Sequence, residues 1–221
     1  MNVLVIAAHP DDEVLGCGGV MARHEALGDR VDVLVVTRGI PELFPPEVIE
    51  GTRKELQAAH RVLGVSGATF LDLPAPRLDT VPGHEVADAI RQVIRELDSE
   101  TVYIPHRGDL HTDHGVVHRA SLVGARPTGG CPVRRLLCYE TLSETEWGIP
   151  LQDQAFVPTV FADISDYLPR KLEAMGCYRS QLARPPASRT LQALEHLARL
   201  RGATVGVEAA EAFMLMRHIE G

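Results

Sequence analysis

A polar cluster directly after a short apolar run constrains the fold of this chain most strongly. The run extends from Val3 to Ala8 and is rich in β-branched residues, which is typical of a buried strand. The sequence HPDDE at residues 9–13 follows without a break, and apolar residues then recur at helical spacing. The pattern predicts a strand, a turn and a helix, with ionisable residues at the carboxyl end of the strand. In α/β folds, ligands bind at that end of the sheet.

Apolar runs and amphipathic segments continue to alternate through the first half of the chain. The predicted elements are strand Val31 to Thr37, a proline-rich loop from Arg38 to Gly51, helix Thr52 to Gly64, strand Ala68 to Leu73, helix His84 to Leu97 and strand Thr101 to Ile104. Thr52 is the predicted cap of its helix and Gly64 the stop. The alternation implies parallel strands joined by right-handed crossovers. The predicted fold class is α/β: a Rossmann-like, mostly parallel sheet flanked by helices in three αβα layers.

The second half of the chain continues with the same kinds of element. They are predicted as helix Gly115 to Val123, strands Arg135 to Glu140 and Thr159 to Ala162, helices Ser165 to Leu182 and Ser188 to Gly202, and a closing segment from Glu208 to His218. The sequence contains no repeat and no convincing linker. Its 221 residues, 45% of them hydrophobic, suit one domain with a sizeable core. We therefore expect a single domain over residues 1–221.

Composition excludes several classes of function and location. The net charge is −8, there is no basic block, and only 5% of residues are aromatic, so we expect no nucleic-acid partner. No apolar run is long enough for a membrane span, and Met1 leads straight into the first strand without room for a signal peptide. The four cysteines are scattered without a CxxC pair, so neither a disulfide framework nor a thiolate zinc site is indicated. A cytoplasmic location fits best.

A second polar cluster, PHRGDLHTDH at residues 105–114, follows the fourth predicted strand and is expected at the same edge of the sheet. His9 and Asp12 are three residues apart, and so are His111 and His114. Two imidazoles and one carboxylate form the three-ligand set of catalytic zinc, which leaves a position open for water. Because the same ligands suit Fe(II), the metal stays open between zinc and iron.

The two clusters contain more polar residues than a metal needs, and the surplus indicates catalysis. Asp11 neighbours a candidate ligand and could take a proton from the attacking water. A second imidazole near the metal could stabilise an oxyanion or protonate a leaving amine. Asp113 could orient that imidazole through its other ring nitrogen. The sequence chemistry therefore predicts a metal-dependent hydrolase.

Simpler interpretations exist for each feature. The first cluster could be an ordinary turn before a helix N-terminus, where acidic residues are favoured, and the second could be a polar loop that caps a helix. Gly16, Gly18 and Gly19 invite a dinucleotide-binding interpretation, but the fingerprint GxGxxG fails because its last glycine falls on Met21. We expect these glycines to let the helix pack closely on the sheet.

With both clusters in view, the chain resembles the LmbE-like, or PIG-L, family of metal-dependent N-deacetylases. AHPDDE at residues 8–13, LGCGG at residues 15–19 and HTDH at residues 111–114 correspond to the family's motifs. Further similarities cover nearly the whole chain, with TRKE at residues 52–55, LG at residues 63–64, YRSQ at residues 178–181 and AEAF at residues 210–213. The first motif is highly specific in this setting, and the C-terminal similarities are weaker.

The resemblance implies a role for most residues of the two clusters. His9, Asp12 and His114 would bind zinc, or Fe(II) as the alternative. Asp11 would be the general base. His111 would be the electrophile or the general acid. The implied chemistry is attack by water on an amide carbonyl.

The same resemblance also implies roles for residues outside the ligand set. Asp113 would orient His111 from beside it. Arg53 would contact the sugar hydroxyls, with a solvated helix face as the alternative, and Tyr178 would bind substrate, with core packing as the alternative. His106 and Asp109 could line the pocket, although exposed loop positions are their default.

The resemblance also implies the substrate class and the partners. The expected reaction removes an acetyl group from an N-acetylglucosamine-type amino sugar or its conjugate, at zinc. An amidase that cleaves a thiol-sugar conjugate at the same metal is one alternative, and a metal-binding protein with little turnover is another. The expected partners are a small N-acetyl sugar substrate and further copies of the chain in a homo-oligomer.

Overall fold

The computed structural model describes residues 1–149 and 151–220, and a seven-stranded sheet runs through its centre. The strands are β1 (Asn2–Ala7), β2 (Arg30–Gly39), β3 (Gly67–Ala75), β4 (Thr101–Pro105), β5 (Arg135–Tyr139), β6 (Val160–Asp163) and β7 (Ala210–His218). The helices are α1 (Asp12–Ala26), α2 (Pro46–Leu63), α3 (Gly83–Glu96), α4 (Thr112–Gly124), α5 (Leu168–Cys177) and α6 (Leu191–Val205), with a short 3₁₀ helix at Leu78–Thr80.

The strand order confirms the predicted α/β class. The strands are arranged in the order β3-β2-β1-β4-β5-β7-β6, and the first five are parallel to one another. The closing segment of the chain forms β7, which is antiparallel to both β5 and β6. Because the chain leaves β1 toward β2 on one side and later returns to β4 on the other, the strand order switches direction between β1 and β4. Crevices at such switch points bind ligands in α/β proteins.

Side chains of the central strands alternate between two cores, one on each face of the sheet. Val3 and Val5 of β1 belong to the first core, where α1, α2, α5 and α6 contribute most of the helical residues. Leu4 and Ile6 belong to the second core, which is covered by α3 and α4. Both faces of β1 are buried from Val3 to Ala7, which explains why these five residues are all apolar.

Helix boundaries differ from the predicted ones where local signals compete. The second helix begins at Pro46, earlier than the predicted cap at Thr52, because proline is tolerated in the first turn, where its missing N–H has no helical partner. Gly64 ends this helix in a left-handed conformation with φ 71°, as predicted. The last helix begins after Thr190, whose hydroxyl accepts a hydrogen bond from the amide of Ala193, rather than at Ser188.

Close packing accounts for the glycines of α1. A Cβ atom added at Gly16 would overlap the ring of Tyr139 on β5, and one added at Gly19 would overlap the side chain of Ile164. The helix can therefore approach the sheet closely only with glycine at these positions. The expectation that these glycines serve helix packing fits the structure.

A buried ion pair also fixes the middle of α1. Lys171 Nζ lies 2.5 Å from Glu211 Oε1 and donates a 2.8 Å hydrogen bond to the carbonyl of Leu15. Glu211 in turn accepts hydrogen bonds from the amides of Gly19 and Val20, at 2.8 and 2.7 Å. Three backbone groups of the helix are thus bonded to side chains from α5 and β7.

The helices are amphipathic and differ in length. The longest, α2, has 18 residues and carries charged side chains along its exposed face. Within residues 1–149 and 151–220, no helix combines the length and the apolar composition needed to cross a membrane.

Candidate metal and catalytic site

The two polar clusters meet at the carboxyl ends of β1 and β4, on either side of the switch in strand order. Strands β1 and β4 are hydrogen-bonded neighbours, with Val3 opposite Thr101 and Val5 opposite Tyr103. The turn after β1 contains His9 and leads into α1, while the loop after β4 leads into α4. Adjacent parallel strands therefore bring residues about a hundred positions apart into one site.

Three side chains from these clusters form a compact group that could hold a metal ion. One ligand atom from each of His9, Asp12 and His114 lies within 4.8 Å of the others. Asp12 Oδ2 is 3.2 Å from His114 Nε2 and 3.6 Å from His9 Nδ1. Burial opposes ionisation of Asp12, but the charges of the neighbouring His114 and His9 hold its pKa well below its usual range. The group thus combines an anionic oxygen with two imidazoles.

Hydrogen bonding of His114 leaves one of its nitrogens free for a metal. Its Nδ1 lies 2.8 Å from Asp109 Oδ2, and Asp109 is itself held by a 2.6 Å hydrogen bond from Thr145 Oγ1. Its Nε2 is buried and lies 3.2 Å from Asp12 Oδ2, but it makes no hydrogen bond of acceptable geometry with the described residues. A buried polar atom without a partner is rare, and a metal ion would satisfy it. The donor set and this unpartnered nitrogen fit zinc or Fe(II).

Asp113 orients His9, the other candidate histidine ligand, and not His111 as expected. Asp113 Oδ2 lies 3.1 Å from His9 Nε2 and 4.0 Å from His111 Nδ1, so its hydrogen bond goes to His9. The amide of Leu78 donates to the other carboxylate oxygen of Asp113, at 3.2 Å. With Nε2 engaged in this way, Nδ1 of His9 faces Asp12. Asp113 therefore positions a candidate metal ligand rather than His111.

His111 caps α4 and lines a cavity beside the candidate ligands. Its Nδ1 accepts a 3.2 Å hydrogen bond from the amide of Asp113, so a neutral ring carries its proton on Nε2. Burial and the nearby charge of His9 lower the pKa of His111 to about 4. His111 is therefore a neutral hydrogen-bond donor near neutral pH. It also lies close to His9 and Asp113 in a second possible group of ligand atoms.

The predicted base, Asp11, is held in an unusual backbone conformation. Its φ is 109°, in the region that non-glycine residues rarely adopt, and its amide donates a 3.0 Å hydrogen bond to Glu13 Oε2. One carboxylate oxygen lies 3.0 Å from Arg189 Nη1. Burial raises the pKa of Asp11 to about 8, although the Arg189 charge works in the opposite direction. A carboxyl group whose pKa lies near neutrality can both accept and return a proton.

Glu13 anchors the turn that carries Asp11, and Tyr178 belongs to this anchor. The Tyr178 hydroxyl donates a 2.5 Å hydrogen bond to Glu13 Oε1, and His60 Nε2 lies 3.1 Å from the same oxygen. The Tyr178 side chain is fully buried. The expectation that Tyr178 binds substrate is therefore wrong, because its hydroxyl is bonded to Glu13 and its ring belongs to the core.

Three residues that the sequence analysis did not identify complete the site: Ser143, Glu144 and Arg189. Arg189 donates through Nε to Ser143 Oγ at 2.7 Å and lies 3.4 Å from Glu144 Oε1. Glu144 Oε2 accepts a 3.1 Å hydrogen bond from the amide of His111. These residues sit in irregular segments without a recognisable spacing. No local pattern could have identified them.

A cavity of about 300 Å³ opens beside the candidate ligands. Arg53 lines it, as expected for a residue that contacts substrate, and pairs there with Asp72 at 2.6 Å. His106 does not line this cavity. Its side chain is buried, and its Nε2 is 2.7 Å from the carbonyl of Gln154. Asp109 is also buried and holds His114. The polar residues of the lining at the candidate metal group are His9, Asp11, Asp12, His111, Glu144 and Arg189, and Thr37, Arg38, Thr52, Arg53 and Gln181 are the polar residues of the remaining lining.

The sequence of this chain is similar to those of known proteins. A sequence model of the PIG-L family, described as GlcNAc-PI de-N-acetylase, matches residues 4–123, a range that contains both polar clusters. A 1D-myo-inositol 2-acetamido-2-deoxy-alpha-D-glucopyranoside deacetylase from Kineococcus radiotolerans is 34% identical over 157 residues. That similarity covers 55% of this chain and 44% of the relative, so less than half of the relative's length is represented.

Two further relatives are similar over most of their length. The uncharacterized deacetylase YaiS of Escherichia coli is 29% identical over 185 residues, which cover 81% of this chain and 91% of that protein. The crystal structure of the conserved protein TT1542 from Thermus thermophilus superposes with a TM-score of 0.80 at 29% identity, covering 99% of this chain and 96% of that one. The structural likeness thus includes the second half of the chain.

Proposed function

This chain belongs to the PIG-L family, and from that premise we propose that it is a metal-dependent hydrolase that removes the acetyl group from an N-acetylglucosamine-type amino sugar or its conjugate. One observation carries the proposal. Asp11 lines a cavity together with His9 and Asp12, which group with the buried His114 as candidate metal ligands, so Asp11 is a carboxylate that the metal does not require. The name of the Kineococcus radiotolerans relative, a deacetylase of an acetamido sugar, supports the substrate class.

The proposed ligands are Nδ1 of His9, Oδ2 of Asp12 and Nε2 of His114. The hydrogen bonds of Asp113 to His9 and of Asp109 to His114 support this choice, because each occupies the other ring nitrogen. When bound, the metal supplies Lewis-acid polarisation and makes water acidic near neutral pH. Zinc is the proposed metal, with Fe(II) as the alternative.

The chain's own residues would move the protons of the reaction. Asp11 accepts a proton as water attacks the amide carbonyl and the new C–O bond forms. The Nε2–H of His111 donates a hydrogen bond to the carbonyl oxygen as negative charge develops on it. Asp11 then returns the proton to the amine nitrogen as the C–N bond breaks, which releases acetate and the free amino sugar. Arg189 keeps the Asp11 carboxylate aimed at the cavity.

Location and assembly complete the proposal. The four cysteines are free, which suits a reducing compartment such as the cytoplasm. Homo-oligomer formation stays a prediction, and sedimentation analysis measures it directly.

The Asp11→Asn variant tests the proposed chemistry. We expect kcat for acetate release from N-acetylglucosamine, its glycosides and a chitin disaccharide to fall by about 10²–10⁴, because general base catalysis is lost. Metal content should remain at the wild-type level, since Asp11 is not a proposed ligand. A matched control is Asp88→Asn, because the Asp88 side chain is 61% exposed and pairs with Arg91 on the surface. Wild-type turnover in the Asp11→Asn protein would reject the base assignment. Absence of acetate release from every substrate by the zinc-loaded wild type would reject the deacetylase assignment.

A further inference from the structure

Part of the cavity beside the candidate site has an apolar lining. Phe44, Val48 and Ile49 come from the loop after β2 and the first turn of α2, while Phe70 and Pro76 come from β3 and the loop that follows it. Strands β1, β2 and β3 are parallel neighbours in that order. The cavity therefore runs along the carboxyl edge of the sheet, from the candidate metal group at β1 to the apolar lining at β2 and β3.

Two residues of this apolar lining are notably exposed. Val48 is 46% exposed and Phe44 is 39% exposed. The Phe44 ring packs on Gly39, where an added Cβ atom would lie 3.0 Å from the ring, so the aromatic face is held at the cavity wall. Apolar side chains that line a cavity and remain exposed are typical of a surface that a ligand covers.

The charges in the same cavity argue against an anionic ligand at this position. Three arginines line the cavity, and each is paired with a carboxylate of the chain. Arg53 lies 2.6 Å from Asp72 and also stacks over the Phe70 ring, with its guanidinium carbon 4.1 Å from the ring centre. Arg38 lies 3.6 Å from Glu50. The third, Arg189, bonds to Asp11 as described above. A phosphate or carboxylate substituent would have to compete with one of these carboxylates for its arginine.

We propose that this apolar lining is an aglycone subsite, which binds an alkyl or aryl group attached to the N-acetylated amino sugar. The inference rests on the proposed function, because the sugar amide must lie at the metal for its substituent to extend along the cavity. The continuity of the lining with the metal group and the pairing of its arginines select an apolar substituent over an anionic one.

The length of an alkyl substituent should therefore control the specificity. Burial of one methylene group is worth about 0.8 kcal/mol, or about fourfold in kcat/KM. Because the cavity is open, only part of each added methylene is removed from water. We expect kcat/KM to rise by about tenfold from methyl to hexyl N-acetylglucosaminide. A 5-carboxypentyl glycoside, which has a chain of similar length with a terminal carboxylate, should lose most of this gain.

Two variants connect the preference to the apolar lining. Val48→Thr and Phe44→Ser should each lower the ratio of kcat/KM for the hexyl glycoside to that for the methyl glycoside by about threefold or more. Val205→Thr is the matched control, because Val205 is 45% exposed and lies at the end of α6, outside the cavity lining. Calorimetric binding of both glycosides to zinc-loaded Asp11→Asn protein measures the same preference without turnover.

The outcomes separate the subsite from the proposed function. Acetate release from all glycosides at equal kcat/KM, or a preference for the carboxypentyl glycoside, would overturn the subsite and leave the deacetylase intact. No acetate release, together with tighter binding of the hexyl glycoside, would reject the deacetylase and keep the subsite. Sedimentation analysis of the oligomeric state provides a further test. A wild-type dimer that dissociates on Phe44→Ser, with unchanged hexyl binding, would identify the apolar lining as a contact between copies and overturn the subsite.

Discussion

Replacing Tyr178 with phenylalanine separates a structural role from a substrate-binding role. The substitution removes only the hydroxyl, which donates a 2.5 Å hydrogen bond to the buried carboxylate of Glu13. Glu13 keeps two other partners, the amide of Asp11 and the ring of His60. The turn that carries Asp11 should therefore keep its conformation, and the main effect should fall on the free energy of unfolding.

The structure sets the size of this effect. A hydrogen bond to a charged group is worth about 1.5–3 kcal/mol, so Tyr178→Phe should destabilise the chain by about 2 kcal/mol. For a domain of this size, that loss lowers Tm by about 4–8 °C. KM for the N-acetylated sugar should stay at its wild-type value, because the buried hydroxyl does not face the cavity.

Thermal denaturation and steady-state kinetics of the same preparations provide the measurement. Tyr103→Phe is the matched control, since the Tyr103 hydroxyl is also buried and lies 3.1 Å from His24 Nε2. Burial is the main cause that lowers the pKa of His24, so this partner is neutral near pH 7 and the loss should be nearer to about 1 kcal/mol. A tenfold rise of KM for Tyr178→Phe at unchanged Tm would refute the reasoning and restore a substrate contact.

Two other perturbations follow from buried charges. Burial works against protonation of His9, but hydrogen bonds to Asp113 and Asp12 raise its pKa to about 9 in the metal-free chain. Zinc uptake near pH 7 should therefore release protons, which can be measured in a weakly buffered solution. Zinc affinity should weaken as the pH falls from about 9 toward 6, because protons compete for His9. A zinc affinity that does not depend on pH would contradict this account. Lys171→Met should destabilise the chain by about 3–5 kcal/mol, measured by urea denaturation, because the Glu211 carboxylate loses its buried partner. The double variant Lys171→Met/Glu211→Gln should recover part of the lost free energy of unfolding. A loss below about 1 kcal/mol in Lys171→Met alone would rule out the ion pair as a structural support.

Sequence patterns predicted the parts of this protein that depend on local order. The buried strand before HPDDE, the parallel sheet and the meeting of the two clusters all follow from apolar periodicity and strand order. The start of α2 was misplaced because its prolines suggested a loop, although proline is compatible with a first helical turn.

Partnerships between distant segments could not be predicted in the same way. The spacing of Asp113 and His111 suggested a pair, yet the turn of α4 directs the carboxylate to His9. Tyr178 and Arg189 contact Glu13 and Asp11 at 2.5 and 3.0 Å, although 165 and 178 positions separate the two pairs in the sequence. Side-chain direction, rather than residue spacing, decides such contacts, and it depends on the packed structure.

The ion pair in the middle of α1 has a consequence for how the chain matures. The amides of Gly19 and Val20 are bonded to Glu211, which is synthesised 192 and 191 residues later. During translation, the helix that begins with Asp12 would therefore emerge long before the groups that complete it. A nascent chain that stops before β7 would leave Lys171 without its partner and α1 without its anchor. Formation of the candidate metal site should consequently be a late event, coupled to docking of the final strand.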